Sequence, residues 1–284
     1  MKFLNPPIPE IRPEEIFEGC VQSYTDLDRK KRLLACKHQV EVDSASYQKL
    51  VPNQINEFVV TDLPEDVSST EMTKVYDEKF ARADAVGRKY YDMIMAQVER
   101  GICPICGVRL ASTLDHYLPK AKVPTLSVTP SNLVPACRDC NMDKHTDMAL
   151  APDATPVHLY YDRLPEEPWL HVRMGDNLEI TYYISCPDSW EASLKGRVEG
   201  HLDIYKLHKL YSAHAATEIG DKKRMWKRLV DMGLEKEVFN DICEMRSSAE
   251  ANDLNSWKSA LYRGLEKEFT KVKAWLFSDC LELV

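Results

Sequence analysis

Cys103-Pro104-Ile105-Cys106-Gly107 and, past thirty intervening residues, Cys137-Arg138-Asp139-Cys140-Asn141 decide how this chain is read. Each Cys-x-x-Cys turn aims two sulfurs at one point. The 284 residues hold nine cysteines, and random placement would give only about 0.3 such pairs. Two pairs in one module describe a tetrahedral four-sulfur shell, for which zinc is the usual ion. Four protein ligands, Cys103, Cys106, Cys137 and Cys140, leave no open coordination position, so this zinc is structural. A redox dithiol would need one pair at a helix start behind a strand, not two pairs together. Cys20, Cys36, Cys186, Cys243 and Cys280 lie scattered and read as small buried hydrophobes.

The thirty residues between the knuckles exceed the spacing of a plain zinc ribbon. They contain Thr113-Leu114-Asp115-His116-Tyr117-Leu118-Pro119-Lys120 and then Ser131-Asn132-Leu133-Val134-Pro135; Asn141-Met142-Asp143-Lys144 follows the second knuckle. Alternation up to Asp115 suits a strand, and Pro119 ends it. These residue types suit phosphodiester hydrolysis. A neutral imidazole can take a proton from water near pH 7, which makes His116 the natural general base. Asp115 offers a hard oxygen to a Mg²⁺-type ion and Asn141 a neutral carbonyl oxygen. Such an ion, Mg²⁺ or Mn²⁺, relieves charge on the scissile phosphate and the leaving oxygen. Adjacent strand residues face opposite ways, so Asp115 and His116 can meet one phosphate only where the strand ends.

Asp115-His116-x-x-Pro119, Asn132-Leu133 and Cys140-Asn141-x-x-Lys144, in this order inside two knuckles, resemble the HNH nucleases, the ββα-metal or His-Me finger family. The resemblance covers roughly fifty residues. It implies a catalytic hairpin followed by a helix, with His116 as base and Asp115 and Asn141 on the catalytic ion. It gives Asn132 a supporting bond to the loop that aims the histidine. Histidine is frequent in the family at the position of Asn141. Lys144, His145, Lys120 and Lys122 are candidates for phosphate contact. Stand-alone members with extra helical domains include bacterial and phage-associated nucleases, among them restriction and anti-phage effectors that work beside an ATPase. This chain has no G-x-x-x-x-G-K motif of its own, so such a partner, or a homo-oligomer, would be a separate chain.

The flanks are read more coarsely. Residues 1–100 form a mostly helical N-terminal region, with one helix around Tyr24–Val40 and one from Thr70 to Val98. Met72, Val75, Tyr76, Phe80, Val86, Tyr90, Ile94 and Val98 mark one face of the latter, with a cap at Ser69 or Thr70 and a stop at Gly101. Residues 101–152 form the knuckle module. Residues 153–284 begin with strand-like runs, 157–161, 169–172 and 178–184, and continue in three helical segments, 190–218, 221–246 and 253–277. The fold class is α+β: a small ββα-metal core between a helical N-terminal region and a strand-plus-bundle C-terminal region.

With 37 basic and 45 acidic side chains the net charge is −8, which argues against a protein that coats nucleic acid by bulk positive charge. The module 101–150 carries five Lys/Arg and four Asp/Glu, too few to hold a duplex tightly. A better strip is Lys206, Lys209, Lys222, Lys223, Arg224, Lys227 and Arg228, interleaved with Tyr205, Tyr211 and Trp226. No apolar run has the length of a membrane span or a signal peptide, which suits a cytoplasmic protein. Two functions follow: a metal-dependent endonuclease cutting or nicking DNA, with RNA as the other substrate, or a zinc-knuckle nucleic-acid adaptor without activity.

Overall fold

Pro13 at the first helical position and Glu14 and Glu15 behind it start α1, Pro13–Gln22, where fixed φ and negative charge both favour a helix start. The Asp26 carboxylate caps α2, Leu27–Ala35, accepting from the N–H groups of Asp28 and Arg29. The chain then bends at Cys36 into α3, Lys37–Leu50. The one helix read around Tyr24–Val40 is therefore two, hinged at a buried thiol. The computed structural model describes residues 1–6, 12–144 and 155–278.

Ser68, not Ser69 or Thr70, caps α4, Ser69–Val75, through a reciprocal capping box with Glu71. The periodic stretch beyond it is not one helix. It widens into a π-turn at Tyr76–Phe80 and resumes as α5, Arg88–Met95. Gly87 marks the reason for the break. A Cβ there would lie 2.8 Å from Cys20 Sγ and 2.9 Å from the Lys79 carbonyl oxygen, so the chain turns where it meets α1. The apolar period was real, but packing divided it.

Two short strands, β1 (Thr113–His116) and β2 (Leu133–Ala136), pair antiparallel with Asp115 opposite Val134 and His116 opposite Leu133. Helix α6, Arg138–Asp143, follows and packs against β1. Leu114 and Leu133 enter the same core as Ile16, Phe17, Leu33, Met72 and Phe80. Residues on both sides of position 100 thus share one interior, and the compact unit they build spans Met1–Arg163. Residues 157–161, read as a strand, form turns around a fully buried His158 instead.

The second unit spans Leu164–Val284. Strands β3 (Leu170–Met174) and β4 (Ile180–Ile184) form a hairpin. Five helices follow where three were read: α7 (Ala192–Ile204), α8 (Leu207–Asp231), α9 (Glu235–Asn252), α10 (Trp257–Lys267) and α11 (Phe269–Phe277). A left-handed Lys206, φ 50°, separates α7 from α8. Helix α10 lies on β3 so closely that a Cβ on Gly264 would collide with Val172 Cγ2. Helices with small antiparallel sheets make the chain α+β, as the patterning of its apolar residues suggested.

Candidate metal centre and active site

The knuckles fold by backbone chemistry before any ion is considered. In the first, Gly107 N–H donates to the Cys103 carbonyl at 2.8 Å and Cys103 N–H to that of Arg109 at 2.7 Å. Arg109 N–H points at Cys106 Sγ, 3.5 Å, and Cys140 N–H at Cys137 Sγ, 3.4 Å. All four sulfurs lie within 4.8 Å of one another and are buried. Tetrahedral zinc with bonds of about 2.3 Å places sulfurs about 3.8 Å apart, so the shell closes on the ion with small side-chain movements. The thiol protons are unevenly shared. Hydrogen bonds from neighbouring sulfurs hold Cys106 low and Cys137 down to about 6, while Cys103 and Cys140 are pushed up. A divalent cation would resolve that competition by taking all four as thiolates. Among the described residues this is the sole group of three or more Cys, His, Asp or Glu side chains close enough to share an ion.

His116 ends β1. Its Nε2 lies 2.8 Å from the Ser127 carbonyl oxygen, and a carbonyl only accepts, so Nε2 carries the proton. The remaining ring nitrogen, Nδ1, holds the basic lone pair. The Tyr76 ring stands edge-on against the imidazole at 4.5 Å between centroids. Burial, helped by the charges of Lys120 and Lys144, drives the His116 pKa down to about 3. The ring is therefore neutral throughout the physiological range.

Asp115 faces the other way. Its carboxylate meets Lys144 Nζ at 2.7 Å, with side-chain exposures of 8% and 2% respectively. Lys144 also donates to the His116 carbonyl oxygen. Burial pushes Asp115 up and Lys144 down, each towards its neutral form, and their mutual contact opposes both shifts. The Lys144 ammonium thus points inward beneath the strand end rather than towards solvent. Asn141 sits half-buried on α6 beside the zinc ligand Cys140.

Asn132 is fully buried and uses both ends of its amide on the loop after β1. Its Oδ1 accepts from Leu118 N–H at 2.7 Å, and Nδ2 donates to the carbonyls of Leu118, 3.1 Å, and Leu126, 3.3 Å. These bonds tie the segment leaving His116 to the segment that presents the Ser127 carbonyl.

With this geometry in place, residues 103–147 match the family model described as HNH endonuclease. Residues 103–147 are an HNH domain. The chain is also 27% identical over 237 residues to Protein ea31 of Escherichia phage lambda, covering 78% of each chain. A match of that length cannot fit inside Met1–Arg163 and must run into both units. No solved structure matches the chain significantly.

The HNH motif did not announce what grips its loop. One face of α3 does so: Asp43 accepts from Thr125, Ser44 pairs with Thr129 at 2.9 Å, and Gln48 donates to Ser131 Oγ at 3.3 Å. Tyr47, between them, meets His158 Nε2 at 2.8 Å. Polar residues at i, i+1, i+4 and i+5 of a helix beside an apolar face were the available signal. Ser127 and Tyr76 had none, since a backbone carbonyl and an aromatic in a helical pattern look ordinary.

The other cations predicted for phosphate contact are spread out. Lys120 pairs with Asp77 and lies over the Tyr76 ring at 4.9 Å. Lys122 is exposed. His145 falls outside the described residues. Lys222, Lys223, Arg224, Lys227 and Arg228 all belong to α8 of the second unit. There Lys222 pairs with Asp241 at 3.0 Å and Lys227 with Asp231 at 3.4 Å. Lys206 and Lys209 flank the start of the same helix. Cys20 and Cys36 are buried as expected, Cys186 and Cys243 half-buried, and Cys280 lies outside the described residues. No helix among the described residues is long and apolar enough to cross a membrane.

Proposed function

We propose that this chain is a divalent-metal-dependent endonuclease that hydrolyses phosphodiester bonds in DNA, with His116 as general base. The observation that carries the reading is the tautomer of His116. Donation from Nε2 to the Ser127 carbonyl leaves Nδ1 as an unprotonated base on a ring fixed by Tyr76. Burial keeps the ring neutral, and the negative charge of a substrate phosphate beside it would raise its pKa towards the range a general base needs.

The proton inventory is simple. Nδ1 of His116 takes one proton from the attacking water as its oxygen bonds to phosphorus. The bond from phosphorus to the 3′ oxygen breaks, that oxygen takes a proton from solvent water, and His116 afterwards releases its own to solvent, giving a 5′ phosphate and a 3′ hydroxyl. Asn132 acts on the base indirectly, by fixing the loop that carries Ser127. Asp115 and Asn141 would be the oxygen donors for a Mg²⁺ or Mn²⁺ ion. Lys144 already occupies that carboxylate, so a divalent ion would compete with its ammonium for the Asp115 oxygens. When bound, that ion neutralises charge on the phosphate and the leaving oxygen. Cys137 and Cys140 would hold the start of α6, and with it Asn141, to the first knuckle through a shared zinc.

The test is cleavage of supercoiled plasmid, single-stranded DNA and RNA by the full chain in Mg²⁺ or Mn²⁺, beside His116→Ala. Loss of at least a hundredfold in rate is expected for the variant, with zinc content unchanged. A folded, zinc-loaded His116→Ala protein that cuts at the parental rate refutes the assignment. Cleavage of RNA alone would move the substrate and leave the base in place.

A further inference from the structure

The HNH domain is poorly equipped to hold the polyanion it would cut. Of the five basic residues in 101–150, Arg109 pairs with Asp139 at 2.9 Å, Lys120 with Asp77, and Lys144 with Asp115. The chain around it is acidic, at −8 overall. Affinity for a phosphate backbone must therefore come from a local concentration of unpaired cations.

The second unit has one. Gly220, Lys223, Arg224, Lys227, Arg228 and Asp231 recur at spacings of three and four, which is a single face of α8. They line one depression of about 500 Å³. Among the described residues no carboxylate forms an ion pair with Lys223, Arg224 or Arg228, and the two arginines are exposed. Lys223 is steadied instead over the Trp275 ring at 4.8 Å. Elsewhere in the unit pairing is common: Lys258 with Glu218 at 2.9 Å, Arg263 with Glu250 at 2.8 Å, Lys273 with Glu235 at 3.0 Å. Like charges at i and i+4 oppose helix formation. An acidic protein that keeps four cations together on one helix face therefore has a use for them. The opposite face supplies rigidity, because Ile219, Trp226 and Val230 are buried.

We propose that this face of α8 is a binding surface for the phosphate backbone of duplex DNA, separate from the residues that cut it. The inference rests on the nuclease reading for its choice of polyanion. Positions 223 to 228 span about 7.5 Å of helix axis, over which one strand of a duplex presents about two phosphates. Two contacts set the expected effect.

The full chain carrying His116→Ala, which removes cleavage, is titrated into a short fluorescent DNA duplex by anisotropy across a series of KCl concentrations. Replacing Lys223, Arg224, Lys227 and Arg228 together by Gln should lower the salt slope by about 2 and weaken binding roughly 50-fold at 0.1 M salt. Gly220 gives a variant that leaves every cation in place, since a Cβ there meets nothing within 4 Å. Gly220→Glu should weaken binding in the same direction and Gly220→Ala should not. Parental affinity and slope in both the quadruple variant and Gly220→Glu overturn the proposal. If the wild-type chain never cuts but binding still follows this face, the nuclease reading falls and the binding surface stands. If it cuts while binding ignores the face, the reverse holds.

Discussion

Asn132 in the first unit and Asn255 in the second do the same work with the same atoms. Asn132 accepts from Leu118 N–H and donates to the Leu118 and Leu126 carbonyls. Asn255 accepts from Trp169 and Leu170 N–H at 2.8 and 3.3 Å and donates to the Glu167 carbonyl at 2.9 Å. Each amide fastens an irregular segment to a strand end. The difference is solvent: Asn132 is fully buried, Asn255 only half. That contrast extends to the whole molecule. Among the described residues, the buried polar set of the first unit includes Asp43, Ser44, Asp115, His116, Thr125, Thr129, Asn132, Lys144 and His158, whereas the second unit buries only Arg197, His201 and Ser259. Buried polar groups are expensive unless satisfied. The first unit uses them to fix a loop and an imidazole; the second stabilises helices with apolar packing and half-exposed ion pairs.

The comparison breaks most visibly if zinc is removed. Structural zinc contributes on the order of 10 kcal/mol to small metal-dependent folds, and here it would join the Cys103–Cys106 knuckle to the start of α6. A strong chelator, or Cys137→Ser, should release the zinc and open Met1–Arg163 to protease. The helices of Leu164–Val284 should keep much of their far-ultraviolet dichroism. Unfolding of both units in one step would show that the contrast between them is superficial.

Next in size is the Lys144–Asp115 pair. Lys144→Met leaves a buried carboxylate without its partner, and breaking such a pair costs about 3–5 kcal/mol. Urea unfolding should show that loss, and Lys144→Met with Asp115→Asn should recover part of it. Exposed pairs of the second unit, such as Lys227–Asp231, are worth at most about 1 kcal/mol. Asn132→Ala should follow closely, at roughly 3 kcal/mol, because the buried Leu118 N–H and carbonyl are left unpaired at about 1 kcal/mol or more each, while the Leu126 carbonyl keeps only its bond from Thr129 N–H.

Acid sharpens the same difference. The folded pKa of His116, about 3, lies below its unfolded value near 6.5. Between these values the unfolded chain binds a proton that the folded chain does not, so stability present above pH 6.5 is lost as pH falls towards 3. At pH 5 the loss is about 2 kcal/mol relative to pH 8. Urea midpoints of the parent and of His116→Gln at the two pH values isolate it, since the variant lacks the titrating ring. A parental protein no more acid-sensitive than the variant would contradict a neutral, buried imidazole.

What could be read in advance followed from chemistry carried by side chains at fixed spacing. Two C-x-x-C turns can close on one ion wherever the fold places them, so the sulfur cluster was legible. The hairpin was legible because Asp115-His116 and Asn132-Leu133 lie inside that frame. Boundaries set by long-range packing were not. The apolar period from Met72 to Val98 continues through a π-turn and a break because both segments press on the same core. The inward turn of Lys144 was hidden as well, since a lysine after a knuckle looks like a phosphate ligand until its carboxylate partner across the hairpin is known. The α3 residues that hold the loop between β1 and β2 lie about eighty positions away from it in sequence.

The smallest effect is the most discriminating. Asn255→Ala removes as many hydrogen bonds as Asn132→Ala, yet Asn255 is itself half-exposed and its Glu167 partner lies at the surface, so water can replace part of what is lost. Its loss should stay near 1 kcal/mol, the usual net value of a satisfied hydrogen bond, rather than the sum of unpaired groups. Equilibrium urea unfolding of both variants beside the parent measures the ratio directly. A ratio near three to one would tie the difference to burial, since the bond count is the same. Equal losses would mean that the backbone segments around Trp169 and Leu118 are equally closed to solvent, and the contrast between the units would then have to rest on the zinc alone.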